Sequence, residues 1–418
     1  MNVLWIVNMV FPKVAKEIGV STSASGTWLL DLADRISASE EVKLTVMTYY
    51  HGPFRDLELN GIRYLLFPGG GKRLLHDNKE TLDDCKRAVD MCKPDLIHIH
   101  GTEYAPGRAM LKACPHIPTL LTIQGIVCRI ADEFFGGLSF GTMLKMTSLK
   151  SMLKVKTPFV SKLLYKRNAK READVLKQVK YVTGRTDWDK STMLAINPEL
   201  QYFRCNYNLP DAFYKSEKWS VETMERHTIV TGASLYSLKG LHILIEALAI
   251  VKKKYPDVKL YIPGGRAENG RIVNPSDYIK YIEKKIQKYG LEENVIFTGT
   301  LSSEEVAALL AKSNVCVVPS AMEGASATLR EASMIGTPSI CSYRGGMTDL
   351  ITDKVTGFTY DFPEYSQLAL RIAELFEDDE LCKTFSQRNM EISEVRHDRE
   401  RNPREMVEVY KEVLKHER

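Results

Sequence analysis

Two glutamates eight positions apart, Glu323 and Glu331, flank a candidate helix start in Val315-Cys-Val-Val-Pro-Ser-Ala-Met-Glu-Gly-Ala-Ser-Ala-Thr-Leu-Arg-Glu-Ala-Ser-Met-Ile-Gly-Thr-Pro. A buried strand ends at Pro319-Ser320, a loop carries Glu323-Gly324, and a helix begins near Ser326. The first N–H groups of such a helix have no partner inside it, and together with the helix dipole they seat an anion such as a diphosphate. Glu331 stands inside the helix and Glu323 before it, so the two carboxylates can address different parts of one elongated ligand. A carboxylate accepting from vicinal hydroxyls is a natural clamp for a ribose or a sugar. Lys239, ahead of Gly240 at another helix start, is a point charge suited to phosphate. Spacing alone carries little weight, because chance supplies many such pairs; Glu304 and Glu305 read as a solvated helix face. The strand–loop–helix setting is what gives this pair meaning.

In the first half, Asp95-Leu-Ile-His98-Ile-His100-Gly101 closes a strand candidate. Strand periodicity puts His98 and His100 on one face. His98 reads as a hydrogen-bonded core residue, whereas His100, at the strand's end, is either a site residue or scaffold.

The segment around Glu323 and Glu331 resembles the Glu-x7-Glu signature of retaining glycosyltransferases of family 4, which have the GT-B fold. The likeness continues through Gly336-Thr337-Pro338, through Gly345-Gly346-Met347-Thr348-Asp349, where Asp349 replaces the usual Glu, and through Val355-Thr356-Gly357-Phe358. Upstream, Gly232–Gly240 resembles the family's phosphate element, with Ser234 where an Arg usually stands and Lys239 retained. Tyr261-Ile-Pro-Gly264-Gly265 and Val295-Ile-Phe-Thr-Gly299 match as well. The resemblance is close over about 228–362 and looser over 1–210.

The resemblance implies an α/β protein of GT-B type, two facing Rossmann-like doubly wound domains with a deep interdomain cleft and a C-terminal crossing helix. It implies a nucleotide diphosphate sugar as donor substrate, with no separate cofactor, and a glycan or lipid-linked acceptor. Glu323 would meet the transferred sugar, Lys239 with the helix start at Ala325 and Ser326 the diphosphate, and Glu331 the ribose. Gly264, Ser234 and the loop glycine Gly26 fall at donor or acceptor positions, and His100 at the catalytic edge of the first domain. Gln124 stands where the family often has a histidine; its amide can still bond a sugar hydroxyl. Arg185 either supplies the cation missing at Ser234, binds an anionic acceptor, or packs on Trp188. No Asp-x-Asp occurs in a metal-holding context, so metal independence is expected.

The elements that must position these residues are legible as alternating apolar runs and amphipathic stretches, the pattern of parallel sheets with crossover helices. Strand candidates include Val3–Val10, Val42–Thr48, Leu96–His100, Thr119–Ile123 and Lys180–Thr183 in the first half. The pattern restarts with Thr228–Thr231, Lys259–Ile262, Val295–Thr298, Val315–Val318 and Ser339–Ser342, separated by helices such as Gly240–Lys254, Ser276–Tyr289, Glu304–Ser313 and Ala327–Ile335. Tyr202–Phe213 reads as the linker. The expected division is 1–210, joined by a returning helix over about 398–418, and 211–397.

The chain has 418 residues, enough for two or three domains, with 44% hydrophobic and 26% charged residues, which excludes long disorder. Eight scattered cysteines without a Cys-x2-Cys pair argue against a disulfide framework or a zinc site. A net charge of +4 is too small for a nucleic-acid protein. Lys145–Lys180, however, holds eleven Lys/Arg against two Asp/Glu, interleaved with Met146, Leu149, Leu153, Leu163 and Leu164. That segment is either a basic amphipathic surface for an anionic membrane or a solvated helical face. The opening Met-Asn-Val-Leu-Trp-Ile-Val reads as a buried strand rather than a leader, so the expected location is cytoplasmic, with association at the membrane's cytoplasmic face as an extension. Two other readings stand beside transfer: an epimerase of the same fold, and a non-catalytic sugar- or nucleotide-binding scaffold, motivated by Ser234 and Gln124.

Overall fold

A computed structural model describes residues 1–21, 27–155, 157–232 and 235–417. The chain forms two compact units, one of residues 1–128, 167–208 and 397–418, the other of 129–166 and 209–396.

The first unit is built on strands β1 (Asn2–Ile6), β2 (Lys43–Tyr50), β3 (Arg55–Leu59), β4 (Ile62–Pro68), β5 (Leu96–His100), β6 (Thr119–Thr122), β7 (Tyr181–Gly184) and β8 (Gln201–Arg204). Their order is β3-β4-β2-β1-β5-β6-β7-β8, parallel except for the β3–β4 hairpin. The near-continuous apolar run of β1 follows from burial on both faces. Val3 and Trp5 enter one core with Leu32, Ile36, Met406, Tyr410 and Val413, while Leu4 and Ile6 enter another with Cys85, Ala88 and Met110. The helix Arg401–His416 thus supplies part of the first unit's core with Met406, Val407, Tyr410 and Val413.

The second unit carries β9 (Glu225–Val230), β10 (Lys259–Pro263), the ribbon β11 (Ala267–Glu268) and β12 (Arg271–Ile272), then β13 (Val295–Gly299), β14 (Ser313–Val318), β15 (Ser339–Ser342) and β16 (Phe358–Tyr360). Six of these form a parallel sheet in the order β13-β10-β9-β14-β15-β16. The chain builds outward from β9 in one direction, then returns to β9's other side through β14. That reversal is the topological switch point, where open parallel sheets bind ligands outside the strands' carboxyl ends.

The structure differs from the sequence reading in several places. The expected linker Tyr202–Phe213 begins inside β8 and ends in the helix Asp211–Lys215. Residues 129–166, expected with the first half, cluster with the second unit. Glu304 and Glu305 are exposed on the helix Ser303–Lys312, as expected, and Glu305 in addition closes a capping box with Ser302, accepting from its N–H at 2.7 Å. Among the described residues no helix is long and apolar enough to cross a membrane.

Candidate active site

The loops after β9 and β14 meet at the switch point because glycine allows their backbones to approach. Gly240 has φ +72°, and a Cβ on it would overlap the Pro319 carbonyl oxygen. The Ala321 N–H donates to the Leu238 carbonyl at 2.8 Å, tying the same two loops. Gly232, at the end of β9, packs where a Cβ would collide with Thr328 of the helix Ala327–Ile335.

This frame brings Lys239 and Glu323 into an ion pair. Ser320 Oγ donates to the same Glu323 oxygen at 3.0 Å. Glu323's backbone is held from the other side: Gly346 N donates to its carbonyl at 2.9 Å, and Gly345, at φ +61°, leaves no room for a Cβ beside that carbonyl. The Gly345-Gly346 pair therefore has a packing reason, which is to seat the Glu323 loop. Lys239 is partly enclosed, and burial disfavours its charge, but the Glu323 carboxylate and the neighbouring Tyr236 more than offset this and raise its pKa. It stands as ammonium at neutral pH.

Ser326 caps the helix Ala327–Ile335, its Oγ accepting from Leu329 N. Ala325 lies half-buried just ahead of it. Glu331, farther along this helix, accepts no hydrogen bond among the described residues; burial raises its carboxyl pKa, and Arg330 counters this only in part. Half-buried and short of hydrogen-bond partners, this carboxylate is open to a ligand hydroxyl. Gly264, at φ +105°, spends its N–H on the Gly299 carbonyl at 2.7 Å and so joins the ends of β10 and β13. Ser234 and Gly26 lie outside the described residues.

In the first unit His100, Gln124 and Arg185 stand at or just beyond the carboxyl ends of β5, β6 and β7. His98 is a core residue, Nδ1 to Tyr410 Oη at 2.7 Å and Nε2 to Thr122 Oγ1 at 2.6 Å, while Tyr410 also accepts from Trp5 Nε1 at 2.9 Å. Burial drives its pKa down to about 3. His100 is buried against Trp5 and lies beside His98, the two rings tilted by 35° with centroids 3.9 Å apart; burial, then His98, hold its pKa well below the usual range. It acts there as a neutral ring. The Arg185 guanidinium donates to the Ile123 and Gln124 carbonyls at 3.2 and 3.1 Å and lies over Tyr207, so it braces the loop that carries Gln124.

Sequence reasoning passed over Glu172 and Glu103. Glu172 is fully buried and accepts from Thr102 Oγ1 (2.6 Å), Val127 N (3.0 Å) and Cys128 N (2.9 Å). Glu103 accepts from Gly125 N at 3.0 Å, and burial, with Glu172 adding to it, raises its pKa. The signal was present: Glu172 is one of only two acids in the Lys145–Lys180 run. Among the described residues there is no group of three His, Cys, Asp or Glu that could hold a metal ion.

Residues 215–391, within the second unit, match the family described as Glycosyl transferases group 1. A curated relative, D-inositol 3-phosphate glycosyltransferase of Corynebacterium urealyticum, is 25% identical over 181 residues, 43% of this chain and 41% of that protein. The chain thus matches about two-fifths of that relative's length. Among solved structures, sucrose-phosphate synthase from Thermosynechococcus elongatus superposes with a TM-score of 0.71 at 16% identity, covering 99% of each chain. Anabaena HepE in complex with UDP superposes with a TM-score of 0.69 at 18% identity, covering 99% of this chain and 100% of that one. Two Rossmann-like units with parallel sheets, and this likeness over their whole length, make the fold GT-B.

Proposed function

We propose that the protein is a retaining glycosyltransferase that moves a sugar from a nucleotide diphosphate sugar to an acceptor hydroxyl in glycoconjugate or polysaccharide synthesis. The observation that carries this reading is the Lys239–Glu323 ion pair at the switch point of the second sheet, with Glu331, which accepts no hydrogen bond among the described residues, on the adjoining helix. The diphosphate takes the ammonium of Lys239 and the N–H groups at Ala325 and Ser326, without a metal ion. Glu331 accepts from the ribose hydroxyls. Glu323 turns from Lys239 toward the transferred sugar once the phosphate replaces it as the cation's partner. Charge builds on the departing diphosphate as the glycosidic bond breaks, so fixed cation and aimed N–H groups are the main rate factor, each worth about 3–4 kcal/mol. Retention follows from acceptor attack on the face the nucleotide leaves. HepE, similar in fold, is known with UDP bound, which supports a nucleotide-sugar donor. His100, Gln124 and Gly26 are assigned to the acceptor side, His100 as a neutral positioning residue.

The basic segment is assigned to peripheral contact with an anionic membrane at the cytoplasmic face. Leu149 and Leu153 are 71% and 77% exposed, and Leu163 is 68% exposed, in a run of net charge +9.

The test is a nucleotide-sugar panel read by thermal shift, followed by transfer assays with the sugar that binds. A ligand at a hundredfold excess over its Kd adds about 2.7 kcal/mol of stability. No shift with any nucleotide sugar defeats the proposal, and an isomerised sugar released without acceptor replaces it with epimerisation.

A further inference from the structure

A cavity of about 790 Å³ lies wholly within the second unit, between residues 129–166 and the segments Leu235–Leu238 and Pro275–Lys280. Its size falls in the range of small-molecule sites. Its apolar walls are Ile130, Phe134, Met143, Met146, Leu235 and Leu238. Those walls are held in place. Ser237 Oγ donates to the Phe134 carbonyl at 3.1 Å, and Gly136 packs so closely on the Ser237 backbone that no Cβ fits. Asp277 accepts from Ser148 N at 2.9 Å and Ser151 Oγ at 2.6 Å, pinning the helix Leu149–Leu153 to the start of Asp277–Lys288.

Two features say what enters. Lys150 and Lys154, a turn apart, line the cavity and form no ion pair among the described residues, while its one carboxylate, Asp277, is committed to Ser148, Ser151 and Lys280. The cavity is therefore apolar inside and cationic at its edge. Tyr236, which also lines it, has its ring 5.7 Å from Lys239 Nζ, so an occupant lies beside the donor machinery.

We infer that this cavity is a binding site for an anionic amphiphile, a single aliphatic chain against Phe134, Met143 and Met146 with a phosphate-type head at Lys150 and Lys154. The chain enters by burial of methylenes, and the head selects for negative charge. The exposed Leu149 and Leu153 beside these lysines give such a molecule a path from a bilayer.

The probe is decyl phosphate, titrated below its aggregation concentration into the full chain, with octyl phosphate, decyl glucoside and inorganic phosphate as comparison arms. Saturable binding of decyl phosphate is expected, about tenfold tighter than octyl phosphate for two methylenes and about tenfold tighter than decyl glucoside for the lost charge pairs. Inorganic phosphate alone should not compete at equal concentration. Ser161→Trp, which fills the cavity from the helix Pro158–Leu176, should abolish binding. The surface double variant Lys150→Glu, Lys154→Glu should erase the preference over decyl glucoside. Circular dichroism checks that both variants fold. Absence of saturable binding, indifference to both variants, or displacement by UDP overturns the inference. UDP and GDP calorimetry on the same protein is read separately: nucleotide binding without amphiphile binding leaves the donor reading standing, and the converse leaves this one.

Discussion

Gly240 and Pro319 touch through their backbones: the space that a Cβ on Gly240 would need is taken by the Pro319 carbonyl oxygen. Two loops separated by some eighty residues are thereby closed onto each other, one presenting Lys239 and the other Glu323. The ion pair depends on this approach, which the Ala321 N–H bond to the Leu238 carbonyl and the pairing of β9 with β14 support. Gly240→Ala adds both this overlap and the strain of a left-handed backbone, at φ +72°. It should cost about 2–4 kcal/mol in chemical denaturation and weaken nucleotide binding with it.

Lys239 and Glu323 should separate in their effects. Lys239→Met removes a charge-assisted contact to phosphate worth about 1.5–3 kcal/mol, so UDP or GDP affinity in calorimetry should fall about ten- to a hundredfold. Glu323→Gln should leave nucleotide affinity nearly intact and lower the transfer rate about a hundredfold or more. Because the Lys239 pKa is raised, its pairing contributes fully below the ordinary lysine range and is lost only as pH rises past the raised value. Nucleotide binding should therefore be flat from neutral to mildly alkaline pH.

Glu331 carries the opposite sign. Its carboxyl pKa is raised by burial, so the neutral form is the comfortable one; stability is present at low pH and is lost as pH rises through the raised value. Glu331→Gln should stabilise the ligand-free protein at neutral pH by about 1 kcal/mol, a gain that vanishes in acid, while nucleotide affinity drops. Melting curves of both forms across pH, with and without UDP, check this.

His98 makes the first unit acid-sensitive. Its imidazole is buried neutral with a pKa of about 3, so stability falls with decreasing pH from the ordinary histidine range down to about 3, by about 1.4 kcal/mol per pH unit at most. Tyr410→Phe strips the partner shared by His98 Nδ1 and Trp5 Nε1 and should cost about 1–3 kcal/mol. Nucleotide binding by the second unit is the readout that should not follow.

Membrane contact is checked by sedimentation with vesicles. Binding to phosphatidylserine vesicles should exceed binding to neutral ones and fall with added salt, since each near-surface cation contributes about 1 kcal/mol that screening removes.

Much of the second unit was legible because its elements are short, buried and sharply punctuated. The helix Ala327–Ile335 and the strand Ser339–Ser342 have the bounds that the apolar runs suggested, since Ser326 starts the first and Gly336, at φ +89°, ends it. The β3–β4 hairpin escaped because Arg55-Asp-Leu-Glu-Leu is a charged edge strand; its turn, Asn60-Gly61 at φ +53° and +74°, carried the hairpin signal. β8 looked like linker for the same reason, an edge strand with one exposed and three half-buried residues. The place of residues 129–166 could not be read along the chain, since Asp277 reaches back 129 positions to Ser148. At the site, Lys239, Glu323 and Glu331 stood out from local context, whereas the pairing of Lys239 with Glu323 did not. What Glu323 rests on, and that Glu331 accepts no hydrogen bond among the described residues, needed three dimensions.

The helix Arg401–His416 packs Met406, Tyr410 and Val413 onto Val3 and Trp5, which fixes an order of events during synthesis. Trp5 leaves the ribosome 405 residues before Tyr410, its core partner, does. The residues between them can therefore mature while β1 waits for the helix Arg401–His416 to complete its core.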